Sequence, residues 1–511
     1  MKRGWLIGLA VLVGLALAAP AMSADLSATG YMGIGYRAYE NVGAWNDHVT
    51  TEWVQRFELF FHAKASEDLK GVVRFRMDSV PNPWGTVKTG QNSIGYWGSE
   101  QVSVEVKEAY LDFKIPGIQS PTWVRAGVQF FSLRPEVFLL PAGPGISFRS
   151  SIPLADGTLG LSGGWGKIRE YDETVEKRSV KMTLLVDGKP YTATWDVNNE
   201  TQSANLFYLA GDYKSKAGIS GGLYVAWATG KVRADNVKVT VDIPEYLWEG
   251  GTYNNYNAKG NIWWIGLYSD GKVGPVNYNL DVIYNTGREK HKAYDPVWEE
   301  EVSLKQKYNG WLARVVLTYP YQNFNFGLGG LYVSGVNWNK LNEKGKYTGF
   351  VLPPGTETFG PNSDSLIVLS GWGTGPGIVG DIGWWTVPKS LAPISGMDLA
   401  RRGWPGVWGV RLFADYKALK WLTLSGQVAY WGDTEKYGNA LEGVVTDKKY
   451  DDKDIGLEVN LGAKIDIYKN LAWRLVFGYL FAGGAADGKT KADGKKYDDP
   501  YAFVSTLIYT F

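Results

Sequence analysis

Residues able to do chemistry are sparse in this 511-residue chain. The three histidines are His48, His62 and His291, and no metal-ligand spacing joins them. There is no cysteine, hence no thiolate site and no disulfide framework. His62 is the one candidate for a Ser/His hydrolytic pair. No elbow-type motif places a serine near it, so it reads as a polar wall residue beside Lys64. Gly371-Trp372-Gly373-Thr374-Gly375-Pro376-Gly377 has the glycines of a phosphate loop. It lacks the following Lys-Ser/Thr and the strand-to-helix context, and reads as loop turns. Glu299-Glu300-Glu301 and Asp451-Asp452-Lys453-Asp454 could hold divalent cations or bridge lipopolysaccharide. Solvated loop charge is the simpler reading.

What remains is a series of arginines at alternating positions. Between 52 and 64, Glu52, Arg56, Glu58, His62 and Lys64 share one face, and Trp53, Phe57, Leu59, Phe61 and Ala63 share the other. After the turn Ser66-Glu67-Asp68, Val73, Phe75 and Met77 oppose Arg74, Arg76 and Asp78. Ala109, Leu111 and Phe113 oppose Glu108, Tyr110, Asp112 and Lys114, and Val124, Ala126 and Val128 oppose Arg125 and Gln129. Period-two alternation predicts strands. A long aromatic face backed by a densely charged one suits lipid outside and water inside. Arg56, Arg74, Arg76 and Arg125 then point inward from neighbouring strands.

The stretch from Phe130 to Ser151 breaks the alternation. Phe131, Leu133, Val137, Phe138, Leu139, Leu140, Ile146 and Phe148 are too apolar to stand in water, and Pro135, Pro141, Gly143, Pro144 and Gly145 disfavour a strand. The segment is expected to pack on the inner wall, with Arg134, Glu136 and Arg149 facing a pore. Arg56, Arg74, Arg76, Arg125, Arg134, Glu136 and Arg149 are thus the candidate pore constriction. A salt-bridged wall with no selective role is the other reading. In the wider inward set, Lys64 and Lys114 add bases, and Glu52, Glu58, Asp78, Glu108 and Asp112 add acids. The small basic excess predicts a weak anion preference.

The same rhythm runs on. Further strands are expected near 26–39, 145–155, 158–169, 203–214, 218–230, 259–270, 275–286, 308–319, 323–336, 404–417, 421–432, 453–468, 471–483 and 501–511. Short turns alternate with long connections at 81–100, 170–202, 232–258, 287–307, 337–403, 433–452 and 484–499. No internal repeat suggests a propeller. The expected fold is all-β: a transmembrane antiparallel barrel of about 18 strands, with 16 possible, short periplasmic turns and long extracellular loops. The connection 337–403 could hide a hairpin near Leu366–Leu369 or Gly380–Trp385.

Met1 to Ala24 has a basic start, an apolar run from Trp5 to Ala18 and small residues at its end. It reads as a signal peptide, leaving 25–511 as the barrel. Its only charges are Lys2 and Arg3, so removing it turns the formal +1 into −1. That balance argues against nucleic acid as a partner. The 31 Tyr and 23 Trp against 19 Phe are what a membrane-interface girdle needs. On 501–511, Tyr501, Phe503, Leu507, Tyr509 and Phe511 share a face. Such a strand must be covered or closed, and in a barrel it pairs with the first.

A terminal alternating strand ending in Phe511 resembles those of Gram-negative outer-membrane proteins. The resemblance makes Leu507, Tyr509 and Phe511 a barrel-closure and assembly signal read by the barrel assembly machinery. The runs 52–85, Glu105-Val106-Lys107-Glu108-Ala109-Tyr110-Leu111-Asp112-Phe113, Val124-Arg125-Ala126-Gly127-Val128-Gln129 and Pro141-Ala142-Gly143-Pro144-Gly145 resemble the homotrimeric outer-membrane porins of Desulfovibrio-type sulfate-reducing bacteria. That resemblance implies a water-filled trimeric pore with its third loop folded inward, set among outer-membrane lipid and lipopolysaccharide. No cofactor or metal is expected. The first functional reading is a non-enzymatic porin for small hydrophilic solutes and ions. A sugar- or oligosaccharide-specific channel, using Trp372, Trp384, Trp385 and Trp404 as a stacking surface, is the second. A barrel phospholipase using His62 is the third.

Overall fold

A computed structural model describes residues 24–40, 49–78, 104–134, 142–172, 178–186, 189–242, 252–295, 300–337, 340, 344–353, 364–366, 406–436, 452–484 and 499–511. The first half of the sheet comprises β1 (Asp25–Glu40), β2 (Thr50–Ser66), β3 (Leu69–Asp78), β4 (Glu105–Lys114), β5 (Thr122–Phe130), β6 (Ala142–Leu154), β7 (Gly157–Asp172), β8 (Arg178–Val186), β9 (Lys189–Ser215) and β10 (Ser220–Asp242). The second half comprises β11 (Thr252–Val273), β12 (Val276–Asp295), β13 (Glu300–Tyr321), β14 (Phe324–Ser334), β15 (Lys346–Tyr347), β16 (Gly406–Leu419), β17 (Leu422–Gly432), β18 (Asp454–Tyr468), β19 (Leu471–Ala482) and β20 (Tyr501–Thr510). All 20 belong to one sheet. Among the described residues, β8 pairs only with β9, and β15 only with β13. The other 18 pair antiparallel in sequence order, and β20 returns to β1. This is the 18-stranded closed barrel that the alternation predicts, and 16 strands is excluded.

Closure is made by β20. Ile34 faces Leu507 and Met32 faces Tyr509 across the seam. Beyond the last ladder pair, the backbones of Gly30 and Phe511 exchange two hydrogen bonds of 2.9 and 3.0 Å. Phe511 stacks on Phe57 of β2 and on Tyr509, with ring centroids 6.2 and 5.6 Å apart. A Cβ on Gly30 would lie 2.9 Å from the Phe511 ring, so the close approach needs glycine.

The outer face is apolar and exposed from β1 round to β20. Aromatics mark its height. Trp311 and Tyr319, Tyr332 and Phe324, Trp408 and Tyr416, and Phe481 and Trp473 are exposed pairs, each eight residues apart on one strand. Eight residues span ~27 Å along a strand, or about 20 Å of height at a tilt near 40°, close to the ~25 Å apolar band of membrane barrels.

Two expectations are corrected. The segment 142–151 belongs to β6, where Ile146 and Phe148 point outward and are exposed, so the third connection is limited to 131–141. Pro144 is accommodated near the start of β6, where a missing N–H is least costly. Most of 170–202, 232–258 and 287–307 is strand, extending β9 to 27 residues. Parts of these ladders, such as Asn198-Asn199-Glu200-Thr201-Gln202-Ser203, are polar at every position, and so resembled loops. His291 accordingly falls in β12.

Candidate functional site

The lumen-facing residues of β2 to β6 form a ladder of alternating charge. The register Glu58↔Arg76 and Arg74↔Glu108 places unlike charges side by side. Arg74 donates to both Glu58 and Glu108, the latter at 2.9 Å, and Arg76 donates to Glu58 at 2.7 Å. One step along, Asp112 accepts from Arg125 at 3.2 Å and Arg149 at 2.9 Å, with Lys70 3.7 Å away. Aromatic faces lie against the cations: Arg74 over Phe60 and Phe130, Arg125 over Tyr110 and Arg149 over Trp123. His62 lies on this same face, 3.1 Å from the Thr29 hydroxyl.

Burial within the ladder is uneven. The side chains of Glu58, Glu108 and Asp112 are 1, 8 and 0% exposed. Arg125, Lys70 and Arg149 keep 23, 41 and 48%. Arg74 and Arg76, at 13 and 7%, are nearly as covered as the acids they bind, so it is around Asp112 that the acid is the covered partner and the bases face the water. Around Asp112 a solute therefore meets a positive surface, because near charges dominate when the rest are screened within ~8–10 Å.

The third connection enters from β5. Phe131 and Leu133 are buried, and the Phe131 ring lies against Gly145, Gly166 and Tyr208. Arg134, at φ 46°, then crosses to the far wall. It donates to Asp281 at 2.7 and 2.8 Å and to Asp270 at 2.8 and 3.2 Å, with its guanidinium over Tyr268. Burial opposes its charge, but the bonds to Asp281 and Asp270 outweigh this and hold its pKa above the ordinary arginine value. Arg134 therefore stands on the acidic wall of β11 and β12, apart from Arg56, Arg74, Arg76, Arg125 and Arg149. Glu136 lies outside the described residues.

A second inward segment has no counterpart in the sequence reading. After β14 the chain turns into the lumen as β15 and continues to Pro353. Val351 is held by its N–H on Asn285 Oδ1 at 3.1 Å and by Trp264 Nε1 on its carbonyl at 2.6 Å. Further on, Asp364 lies between two wall arginines. Arg314 donates to it at 2.8 and 2.9 Å and Arg411 at 2.6 Å, while Gln427 Nε2 holds its carbonyl at 2.8 Å. Glu458, fully buried, accepts from Ser365 Oγ at 2.5 Å and the Leu366 N–H at 2.8 Å. Wall glycines make the room: a Cβ on Gly478 would lie 2.9 Å from Leu366. Leu366 is a bend here, not a strand, and 367–369 and 380–385 lie outside the described residues.

The sequence did carry a signal for this segment. On β10 to β14 the lumen side is apolar as well: Tyr224, Ala226, Ile262, Trp264, Ile283, Leu312, Leu331 and Val333 are buried. Runs such as Ile262-Trp263-Trp264-Ile265, apolar on both faces, mark a strand covered on both sides. Something had to cover that inner wall, and the described residues 344–353 and 364–366 do.

Of the other candidates, His48, Glu299, Asp451, Trp372, Trp384, Trp385, Trp404 and 371–377 lie outside the described residues. Among the described residues, no group of three or more His, Cys, Asp or Glu could hold a metal.

Comparison with known proteins gave no matching family model and no matching curated relative. Among solved structures, OccAB4 of Acinetobacter baumannii is similar at 13% identity, over 96% of this chain and 99% of that one, with a TM-score of 0.45. OpdK of Pseudomonas aeruginosa, solved with vanillate, is similar at 12% identity over 95% and 98%, with a TM-score of 0.44. Another structure of OpdK, described as an outer membrane protein, gives 12% identity over 95% and 99%, with a TM-score of 0.42.

Proposed function

We propose that this chain is an outer-membrane channel of a Gram-negative bacterium, passing small hydrophilic solutes and ions by diffusion, with a weak preference for anions. The observation that carries the reading is a closed barrel with an apolar outer face and a charged lumen ladder, in which Asp112 is covered while Arg125, Lys70 and Arg149 around it are exposed. Such a barrel leaves no edge and satisfies its backbone internally, as a bilayer demands. The positive wall opposes two inward segments, which narrow the water path to the side of β1 to β6. On this reading the chain is a channel and not an enzyme, and it is a homotrimer of the kind the Desulfovibrio-type porins form.

The two inward segments favour a second reading, a channel selective for particular solutes. A lumen filled in this way forces solutes against the ladder, where a bound solute blocks the current. Single-channel recording of the reconstituted protein with a panel of solutes decides between them. Ohmic currents unaffected by solute support the first reading, and saturable block by one class supports the second. A protein that inserts but carries no current removes both.

A further inference from the structure

On the outer wall the rings of Phe207, Trp227 and Trp263 stack in file across β9 to β11, with centroids 5.1 and 5.3 Å apart. Trp263 shares its face of β11 with the exposed Ile265 and Leu267. One row further from the short turns, Arg288 of β12 faces Lys307 of β13. In the row beyond, Lys231, Lys259, Lys290 and Lys305 stand side by side on β10 to β13. Period two puts all six on the lipid side, since Lys259 alternates with the buried Ala258 and lies four residues from Trp263. Five of the six are exposed, and Lys290 is half-buried. Neither row holds an acid: its other positions on β9 to β11 are Ser203, Asn205, Thr229 and Asn261. Glu289, between Arg288 and Lys290 in sequence, is buried on the lumen side, where its carboxylate accepts from the Tyr308 hydroxyl at 2.7 Å.

Like charges directly opposite on neighbouring strands are destabilising. Here four ammonium groups occupy consecutive positions across three strand spacings, ~14 Å. A bound anion offsets that repulsion, and the height of the rows says which anion. Lys259 lies ~14 Å along the strand from Trp263, or ~10 Å of height at a tilt near 40°, where an apolar band gives way to lipid headgroups. The rows lie toward the long connections, the side of the outer leaflet. We infer that these six cations form a cradle for the phosphate groups of lipopolysaccharide, which holds one phosphorylated glycolipid on β10 to β13 with its acyl chains against Phe207, Trp227 and Trp263. Lysine stems lie along an apolar wall while their ammonium groups reach outward, and the Arg288 guanidinium has the fork that takes two phosphate oxygens. Phosphates of neighbouring lipopolysaccharide molecules are ordinarily bridged by divalent cations. Fixed ammonium groups take that place here, so the bound lipid needs no metal.

The inference rests on the membrane-channel reading and deepens it by giving the outer wall a lipid ligand. Wild-type protein in mild detergent is stripped with EDTA and salt, then mixed with lipid A or with lipid A whose phosphates have been removed. Native mass spectrometry counts the lipid that stays bound. A single lipid A per protomer is expected without divalent cations, and far weaker binding once the phosphates are gone. Lys259→Gln with Lys290→Gln and Lys305→Gln should weaken lipid A by about 10²-fold, since each basic residue beside an anionic leaflet is worth roughly fivefold. Arginine at the same three positions should keep the lipid. So should Lys216→Gln with Lys272→Gln and Lys469→Gln, which removes three exposed lysines near the short turns. Equal binding of the two lipids by the wild type, undiminished binding by the first glutamine triple, or an equal loss in the second overturns the cradle. The two-lipid comparison needs no variant and decides the matter even if a triple does not fold. Planar-bilayer current separates this result from the channel reading. A wild type that conducts but ignores the phosphates refutes the cradle alone, and one that carries no current refutes the channel.

Discussion

Replacing Asp364 with alanine should loosen the second inward segment. Its carboxylate is 5% exposed, between Arg314 at 10% and Arg411 at 12%. Removing one partner of a buried ion pair costs ~3–5 kcal/mol. The change strips three hydrogen bonds from the segment and leaves two guanidinium groups facing each other. Each keeps a neutral partner, Arg314 on Asn279 and Arg411 on Gln427, both at 3.0 Å. Glu458 still holds Ser365 and Leu366, by bonds worth ~1.5–3 kcal/mol each. A loss of ~3 kcal/mol raises the detached fraction of the segment by ~10²-fold. In planar-bilayer recordings, Asp364→Ala should show added open-channel noise, and Asp364→Ala with Glu458→Gln a larger mean conductance. The anion preference should rise as well, since two arginines are uncovered. If the double variant gives a trace like wild type, the segment does not restrict the water path, and this reasoning fails.

Arg134→Gln should free the third connection and uncover Asp270, which is already 32% exposed. Noise should rise and the reversal potential should move toward cations, by more than for Arg149→Gln, whose partner Asp112 keeps Arg125. Deleting Phe511, or replacing it with Tyr509 by serine, should lower the amount of protein in the outer membrane without lowering export, measured by fractionation. Unchanged membrane levels would show that the Gly30–Phe511 closure is dispensable. Unheated protein should migrate differently from boiled protein on denaturing gels, and identical mobility counts against a closed barrel.

The barrel was legible because lipid and water impose period two on every spanning strand. Seams such as Leu507 on Ile34 follow from that pattern and the order of the strands. The pairing of Glu58 with Arg74 and Arg76 was within reach, since the turn at Glu67-Asp68 fixes the hairpin register. Arg134 was a different matter. Its partners Asp270 and Asp281 lie 136 and 147 residues away, and no local pattern links them. Asp364 was missed for a related reason: a carboxylate in a long connection gives no sign that two wall arginines await it. The long ladders of β9 to β13 were hidden because stretches polar at successive positions, such as Asn198 to Ser203, lack the alternation that identifies a half-buried sheet.

The measurement closest to the central claim is the zero-current potential of single channels under a tenfold potassium chloride gradient. The exposed Arg125, Lys70 and Arg149 around the covered Asp112 give the wild type a modest anion preference that grows as salt is lowered. In Arg74→Gln with Arg76→Gln, the lost cations also uncover Glu58 and Glu108, so the potential should cross to the cation side. A cation-preferring wild type, or a double variant with an unchanged potential, would contradict the account and leave the ladder as wall structure alone.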